Sequence, residues 1–534
     1  MTSTRVTSDK ASPPAALPSR IDPALLERLA GLVTLAPGEH DALEVRIPFT
    51  QGLLGRIPHG TPADVDEAVR RAREAQRPWA RTKLSERARI FVRYHDLLLE
   101  RREQVLDLIQ LEAGKARRHA LEEVLDTAMV ARYYAHHAER HLRPRRRRGA
   151  LPGVTRAWEF RQPVGVIGYM VPWNYPFNLP ITDAIPALMA GNTAVLKPDH
   201  QTSFTALWGV ELLYEAGLPR ETLQVVTGIG PELGSTLIGG VDFVMFTGST
   251  RTGKVIARQA GERLIGASLE LGGKNPLLVL EDADLDAAVD GALRGCFVGA
   301  GQVCVSIERI YVHESLYPRF LERFAEGTRR LRIGPALDYS VEMGSLTSRR
   351  QMDTVAEHVE DARAKGATVV AGGRPRPELG PFFYEPTVLT GVTPAMKAYA
   401  DETFGPVVSV YPFCDEREAV ERANDTRYGL SASVWSRSTR RAVRVARQIR
   451  AGSVNVNEAY AATWASADAP IGGMKESGLS RRHGAEGILK YTESQTVAVQ
   501  RGLPLAPLPW MPEERYAQTM GGLLKLIRRV PGLR

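Results

Sequence analysis

Three side chains in this sequence could together make and break an acyl bond. Cys304 lies in GAGQVCVSIER, where Gly299, Ala300 and Gly301 leave little bulk between an approaching substrate and the thiol. A thiolate at such a place attacks carbonyl carbons. Glu270 lies in SLELGGK, flanked by leucines, and desolvation raises a carboxyl's pKa toward that of a working base. Asn174, in PWNYP, offers an amide donor of the kind that holds an oxyanion. Each residue also has an ordinary explanation: a lone cysteine is usually a buried hydrophobe, Glu270 can pair with Lys274, and asparagine forms turns.

A phosphate-binding element accompanies them. In FTGSTRTG, Gly248 permits a sharp turn and Ser249 stands at a helix entrance, where unpaired amides and the helix dipole favour an anion. A plain capped helix explains the same residues. Lys197 closes the strand NTAVLKP, in reach of a ribose hydroxyl or phosphate, or else simply extends to solvent. The G-x-G-x-x-G fingerprint is absent, since Gly228, Gly230 and Gly234 are spaced one residue too widely. Histidines and cysteines show no ligand-like spacing, so no metal site is expected.

The elements that must position these residues alternate. Thr61-Pro62 opens a helix to about Trp79, a second runs from Ser85 to about Gly114, and a third, about 116–141, leads into an arginine run. Apolar runs at 164–170, 192–198, 223–228 and 241–250 read as buried strands separated by helices. A second set begins near Glu270, with strands at 276–280, 308–313, 368–371, 407–411 and 453–457. This predicts an α/β fold of two doubly wound domains with a cleft between them.

The chain has 534 residues, 43% hydrophobic and 24% charged, in the range of globular proteins. No apolar stretch is long enough to span a bilayer. Three cysteines build no disulfide framework, and the first twenty residues read as disordered with no secretory signal, so a cytoplasmic enzyme is expected. The net charge of +8 is concentrated in the run 143–148 (RPRRRR) and the tail 501–534. So localised a charge reads as a solvated segment rather than a nucleic-acid face. The tail segment GGLLKLIRRV could form a basic amphipathic helix resting on a neighbouring subunit or loosely on a membrane; no stable membrane insertion is expected.

Eight stretches, PWNYP, LKP, FTGST, LELGGK, GQVC, ETFGP, NDTRYGLSASVWS and IGGMKESGLSRRHGAEG, occur in the order found in the aldehyde dehydrogenase superfamily, which the sequence resembles over about residues 45–500. The resemblance implies that the Cys304 thiolate attacks an aldehyde. Asn174 and the Cys304 amide would hold the oxyanion, and Glu270 would activate the water that hydrolyses the resulting thioester. It implies that Glu402 and Phe404 adjoin the nicotinamide and its ribose. Ser249 and Gly248 would meet the pyrophosphate, Lys197 the adenosine ribose, with Trp173 and Leu271 lining the cleft. A glutamate common three residues after that lysine in NAD-restricted members is His200 here, which favours NADP, while Asp199 argues for NAD.

The resemblance also divides the chain. It implies a dinucleotide-binding domain from 45–148 and 163–267 and a catalytic domain at 268–485. An oligomerisation arm from 149–162 and 486–500 favours a homodimer or homotetramer. Residues 1–44 and 501–534 are extensions. KPDHQT, GQVCV and KESGLSRR most resemble the succinate-semialdehyde branch, yet Thr182 and Val298 stand where that branch has carboxylate-binding arginines. Ser466 matches a serine of that branch. Tyr175, Trp464, Ala465 and Ile471 complete an expected pocket that also suits apolar or aromatic aldehydes. Ser306 replaces the second cysteine of a redox pair found in some relatives, so no such switch is expected. Transfer of the acyl group to coenzyme A and a polyanion-binding role are lesser alternatives.

Overall fold

The computed structural model describes residues 17–149, 154–501 and 504–529. Its first large sheet arises from the apolar runs. Val166–Met170, Thr193–Lys197 and Phe243–Thr247 are buried at every position, as parallel strands covered on both faces must be. Val166–Met170 pairs in parallel with Thr193–Lys197 on one side, and Leu223–Val225 follows outward. On its other side lie Phe243–Thr247 and then Gly266–Glu270. The winding therefore reverses between Val166–Met170 and Phe243–Thr247. In sheets wound this way ligands bind outside the carboxyl ends of the strands at such a reversal.

The second sheet has seven strands, in the order Thr368–Ala371, Thr387–Thr390, Val407–Phe413, Ile307–His313, Asn275–Val279, Ser431–Trp435 and Ser453–Val456. All neighbours are parallel except the first pair. Gly478–Leu479 returns from this half to pair antiparallel with Gly266–Glu270, so the two halves are stitched together beside Glu270.

A third sheet projects from the body. Thr155–Pro163 is its centre, flanked antiparallel by Thr492–Gln500 and Arg145–Arg148. The arginine run is thus a strand of this sheet rather than the end of the preceding segment. Four consecutive exposed arginines form an edge strand because the Thr155–Pro163 ladder satisfies their backbone, and Glu159 pairs with Arg147. Part of the expected arm, 150–153, lies outside the described residues.

Within 1–44, expected as a partly disordered extension, Ile21 and the helix Pro23–Ala30 bury Leu25, Leu26 and Leu29 in the main core. Most of the segment expected to be disordered, 1–16, lies outside the described residues. The helix expected over Ser85–Gly114 is two helices, Leu84–Glu100 and Arg102–Ala113. Arg101 leaves helical geometry between them (φ −104°, ψ 12°), and its guanidinium bonds Glu215. The tail helix Glu513–Ile527 buries no residue.

Candidate active site

Glu270, Asn174 and Cys304 come from three elements that end at one place. Glu270 is the last residue of its strand, and Asn174 follows the strand Val166–Met170. Cys304 lies between the helix Leu285–Phe297 and the strand Ile307–His313, just after a turn with three successive left-handed residues, Gly299, Ala300 and Gly301 (φ 56°, 57°, 71°). Gly301 leaves no room for a Cβ, which would overlap the Gly405 carbonyl. Its glycine therefore lets the ETFGP loop close onto the cysteine turn.

The Asn174 Nδ2 donates to the Gln302 carbonyl at 2.9 Å, which ties the PWNYP loop to the cysteine turn. One N–H of that amide remains for another acceptor. Asn275 Nδ2 holds the Cys304 carbonyl at 2.8 Å. Burial pushes the Cys304 thiol up to about 12, with Arg482 pulling it down and the carboxylates Glu270 and Glu402 pushing it up. The thiol is therefore protonated at neutral pH and needs a base.

Glu270 can be that base. Burial raises its carboxyl to about 7, opposed mainly by Arg482 and Lys490. Its Oε1 is buried without a hydrogen-bond partner among the described residues, and a Cβ on Gly472 would come within 2.8 Å of it. A carboxylate held this way is available to a water or a thiol.

The crevice beside them fits a dinucleotide. Ser249 caps the helix Thr250–Glu262 through the Thr252 N–H at 3.3 Å and is itself exposed. Gly253 of that helix packs on Leu271, whose Cδ2 a Cβ would approach to 2.5 Å. Lys197 is buried, its Nζ donating to the carbonyls of Pro198 (2.8 Å) and Gly228 (3.0 Å). Asp199 is partly committed: its Oδ1 accepts the Gln201 N–H at 3.0 Å, with the His200 ring 3.4 Å away. Glu402 Oε1 accepts the Gly273 N–H at 2.8 Å, and a Cβ on Gly272 would overlap Glu402 Oε2. The rings of Trp173 and Phe404 meet edge-on at 5.6 Å. Backbone approaches this close, beside an exposed helix entrance and a buried lysine, suit a ligand with phosphates and flat rings.

The Tyr175 ring is 6.3 Å from that of Trp464, and the Lys115 Nζ lies 3.5 Å from the centre of the Tyr175 ring. Ile471 is buried, its N–H bonded to the Arg482 carbonyl at 3.0 Å. Ala465 and Ser466 are exposed, and the Ser466 hydroxyl is spent on the Ala462 carbonyl at 2.7 Å. Thr182 donates to the Asn178 carbonyl and Val298 is buried in the core, so neither position supplies a cation. Among the described residues, no cluster of histidine, cysteine, aspartate or glutamate could hold a metal, and no helix is long and apolar enough to cross a membrane.

Comparison with known proteins gives the family of the chain. The pattern of the aldehyde dehydrogenase family matches residues 35–497. The chain belongs to this family. It is 50% identical over 486 residues to a Mycobacterium tuberculosis protein named "Putative succinate-semialdehyde dehydrogenase [NADP(+)] 2", covering 91% of this chain and 94% of that one. It is 38% identical to the "3-sulfolactaldehyde dehydrogenase" of Pseudomonas putida, over 90% and 98% of the two chains. Among solved structures it resembles the NAD+ complex of an aldehyde dehydrogenase from Bacillus cereus, with a TM-score of 0.83 at 35% identity, over 90% and 99% of the chains.

As a member of this family the chain is an NAD(P)-dependent aldehyde dehydrogenase. Several buried charged residues near the candidate site are not singled out in the sequence. Arg482 is buried, donating to Asp183 Oδ2 at 2.6 Å and to Thr247 Oγ1 at 2.7 Å. Lys490 Nζ bonds Ser268 Oγ at 3.1 Å and lies 4.0 Å from Asp183. Lys115 is buried on Glu123 at 2.6 Å. The only signal for Arg482 was an unexplained pair of basic residues inside the glycine-rich KESGLSRRHGAEG motif; nothing local marked Lys115.

Proposed function

We propose that this enzyme oxidises succinate semialdehyde to succinate, using NADP in preference to NAD, through a thioester on Cys304. The observation that carries the reading is the meeting of a half-buried thiol, a buried carboxylate whose Oε1 has no partner among the described residues, and an amide donor near the switch point of the sheet. Glu270 takes the thiol proton, directly or through water, and the sulfur attacks the aldehyde carbon. The free N–H of Asn174 and the Cys304 backbone amide receive the developing oxyanion. A bound oxidised nicotinamide supplies the acceptor for the hydride that leaves the substrate carbon. Glu270, having passed the thiol proton on to solvent, then removes a proton from the water that attacks the thioester, and the acid departs as the C–S bond breaks and the Cys304 sulfur leaves as thiolate.

In this assignment the six-stranded sheet carries dinucleotide binding and the seven-stranded sheet carries the nucleophile. Gly248, Ser249 and Lys197 hold phosphate and ribose, Glu402 and Phe404 the nicotinamide half, and Trp173 and Leu271 the cleft walls. His200 in place of an acid, with Asp199 partly occupied as a turn cap, removes repulsion against a 2′-phosphate. The relatives' names include both an NADP enzyme and two small aldehydes with anionic ends. Lys115, the buried ammonium on the Tyr175 face, is our candidate anchor for the substrate carboxylate in the absence of the two arginines. The rings of Tyr175 and Trp464 and the Ile471 wall favour a second reading, an apolar or aromatic aldehyde.

The exposed strand Thr492–Gln500, with Val497 and Val499 uncovered at the sheet edge, supports assembly into a homodimer or homotetramer. Three cysteines without a disulfide support a cytoplasmic setting. A panel of succinate semialdehyde, benzaldehyde and hexanal, each with NAD and NADP, tests the assignment by reduced-nicotinamide absorbance. The highest kcat/KM should fall on succinate semialdehyde with NADP. Lys115→Met should raise its KM and leave that of hexanal unchanged. Equal or better kcat/KM with the uncharged aldehydes would overturn the substrate assignment.

A further inference from the structure

Among the described residues Arg87 is a buried guanidinium with no counter-ion and no hydrogen-bond partner at Nε or Nη1, and only 7% of it is exposed. It rests 5.9 Å from the centre of the Trp79 ring, and Nη1 occupies space that a Cβ on Gly191 (φ +91°) would approach to 2.5 Å. Buried charges are normally paired, because leaving water without compensation is strongly unfavourable. Burial accordingly lowers this guanidinium to about 10.

Arg87 lines a pocket of about 510 Å³ where the arm sheet leaves the body. Arg77 and Arg81 also line it, one turn apart at the end of the helix Pro62–Arg81, with Arg161 from the arm strand opposite. Arg161 is paired with Glu159, whereas Arg77 and Arg81 have no ion pair among the described residues. Among the described residues, none that lines the pocket is acidic. Three uncompensated guanidinium groups around one cavity match a tetrahedral oxyanion, which accepts several charge-assisted hydrogen bonds at once.

We propose that this pocket, outside the catalytic crevice, is a binding site for a phosphate-type anion, with Arg87 at its floor and Arg77 and Arg81 at its rim. The ligand is an inorganic phosphate or the phosphate group of a small metabolite.

The probe is inorganic phosphate, titrated calorimetrically into enzyme saturated with NADP so that the dinucleotide crevice is filled. One saturable site per chain is expected, with a change in tryptophan fluorescence that Trp79→Phe removes. Arg77→Gln and Arg81→Gln, both at the surface, should each weaken binding by roughly tenfold, the effect of removing one charge-assisted hydrogen bond. Arg87→Gln should abolish it, and if that variant does not fold the two rim variants decide. Absence of saturable binding overturns the proposal. So does binding that both rim variants leave unchanged, and so does a lack of binding together with altered assembly size in the rim variants, which would mean that a second copy of the chain fills the pocket.

Discussion

Arg482 donates to Asp183 at 2.6 Å, and this buried pair acts on Glu270 with opposite signs. The guanidinium lowers the Glu270 pKa while the Asp183 carboxylate raises it. With Glu270 near 7, the base is half ionised at neutral pH, so turnover should rise with pH through about 7 and then level off. Arg482→Gln should move that midpoint upward and Asp183→Asn downward, each by on the order of one pH unit. The kcat–pH profile checks this, and a purely structural role would not give opposite displacements. Arg482→Gln should also cost about 3–5 kcal/mol of stability by stranding Asp183, read from denaturant unfolding.

Replacing Glu270 itself separates the two halves of the reaction. Glu270→Gln should still release a burst of reduced cofactor, slowed to the extent that the thiol must find another base. Steady turnover should then fall by roughly 10²–10⁴. Stopped-flow absorbance distinguishes a stalled second half from a failed first half.

Gly272 should control cofactor affinity through its fit against a single carboxylate. A Cβ there overlaps Glu402 Oε2, and Glu402 also takes the Gly273 N–H at 2.8 Å. Gly272→Ala should therefore displace the carboxylate from its place beside the crevice and raise KM for NADP several-fold. Dinucleotide titrations by fluorescence quenching provide the check.

His200 should set coenzyme choice. His200→Glu places a carboxylate next to Asp199, whose Oδ1 already caps the following turn. The NADP/NAD ratio of kcat/KM should fall by about tenfold or more, the scale of a single charge-assisted hydrogen bond to the 2′-phosphate. An unchanged ratio would move 2′-phosphate recognition to other residues.

The fold was legible where burial is two-sided. VIGYM and FVMFT announce themselves as strands because every residue faces a helix layer. GASLE and SASVW do not, since their small and polar residues owe their strand state to neighbours already in the sheet. Cys304, Glu270 and Asn174 are candidates by residue type, and Gly248 and Ser249 mark a candidate phosphate site; the structure places the first three on elements that meet. Arg482 and Asp183 were not legible, because 299 residues separate two charges that only the folded chain brings together. The pairing of Arg145–Arg148 in the arm was equally hidden: its cause is a partner ladder, and its own composition argues against a strand.

The most direct test follows the sulfur. Glu270→Gln enzyme is mixed with succinate semialdehyde and NADP, quenched in acid during the burst, digested and weighed. A succinyl group should appear on the peptide holding Cys304 in step with the reduced cofactor, and be absent from Cys304→Ala. Reduced cofactor formed with no acyl mass on Cys304, or with that mass on another residue, would contradict the thioester mechanism.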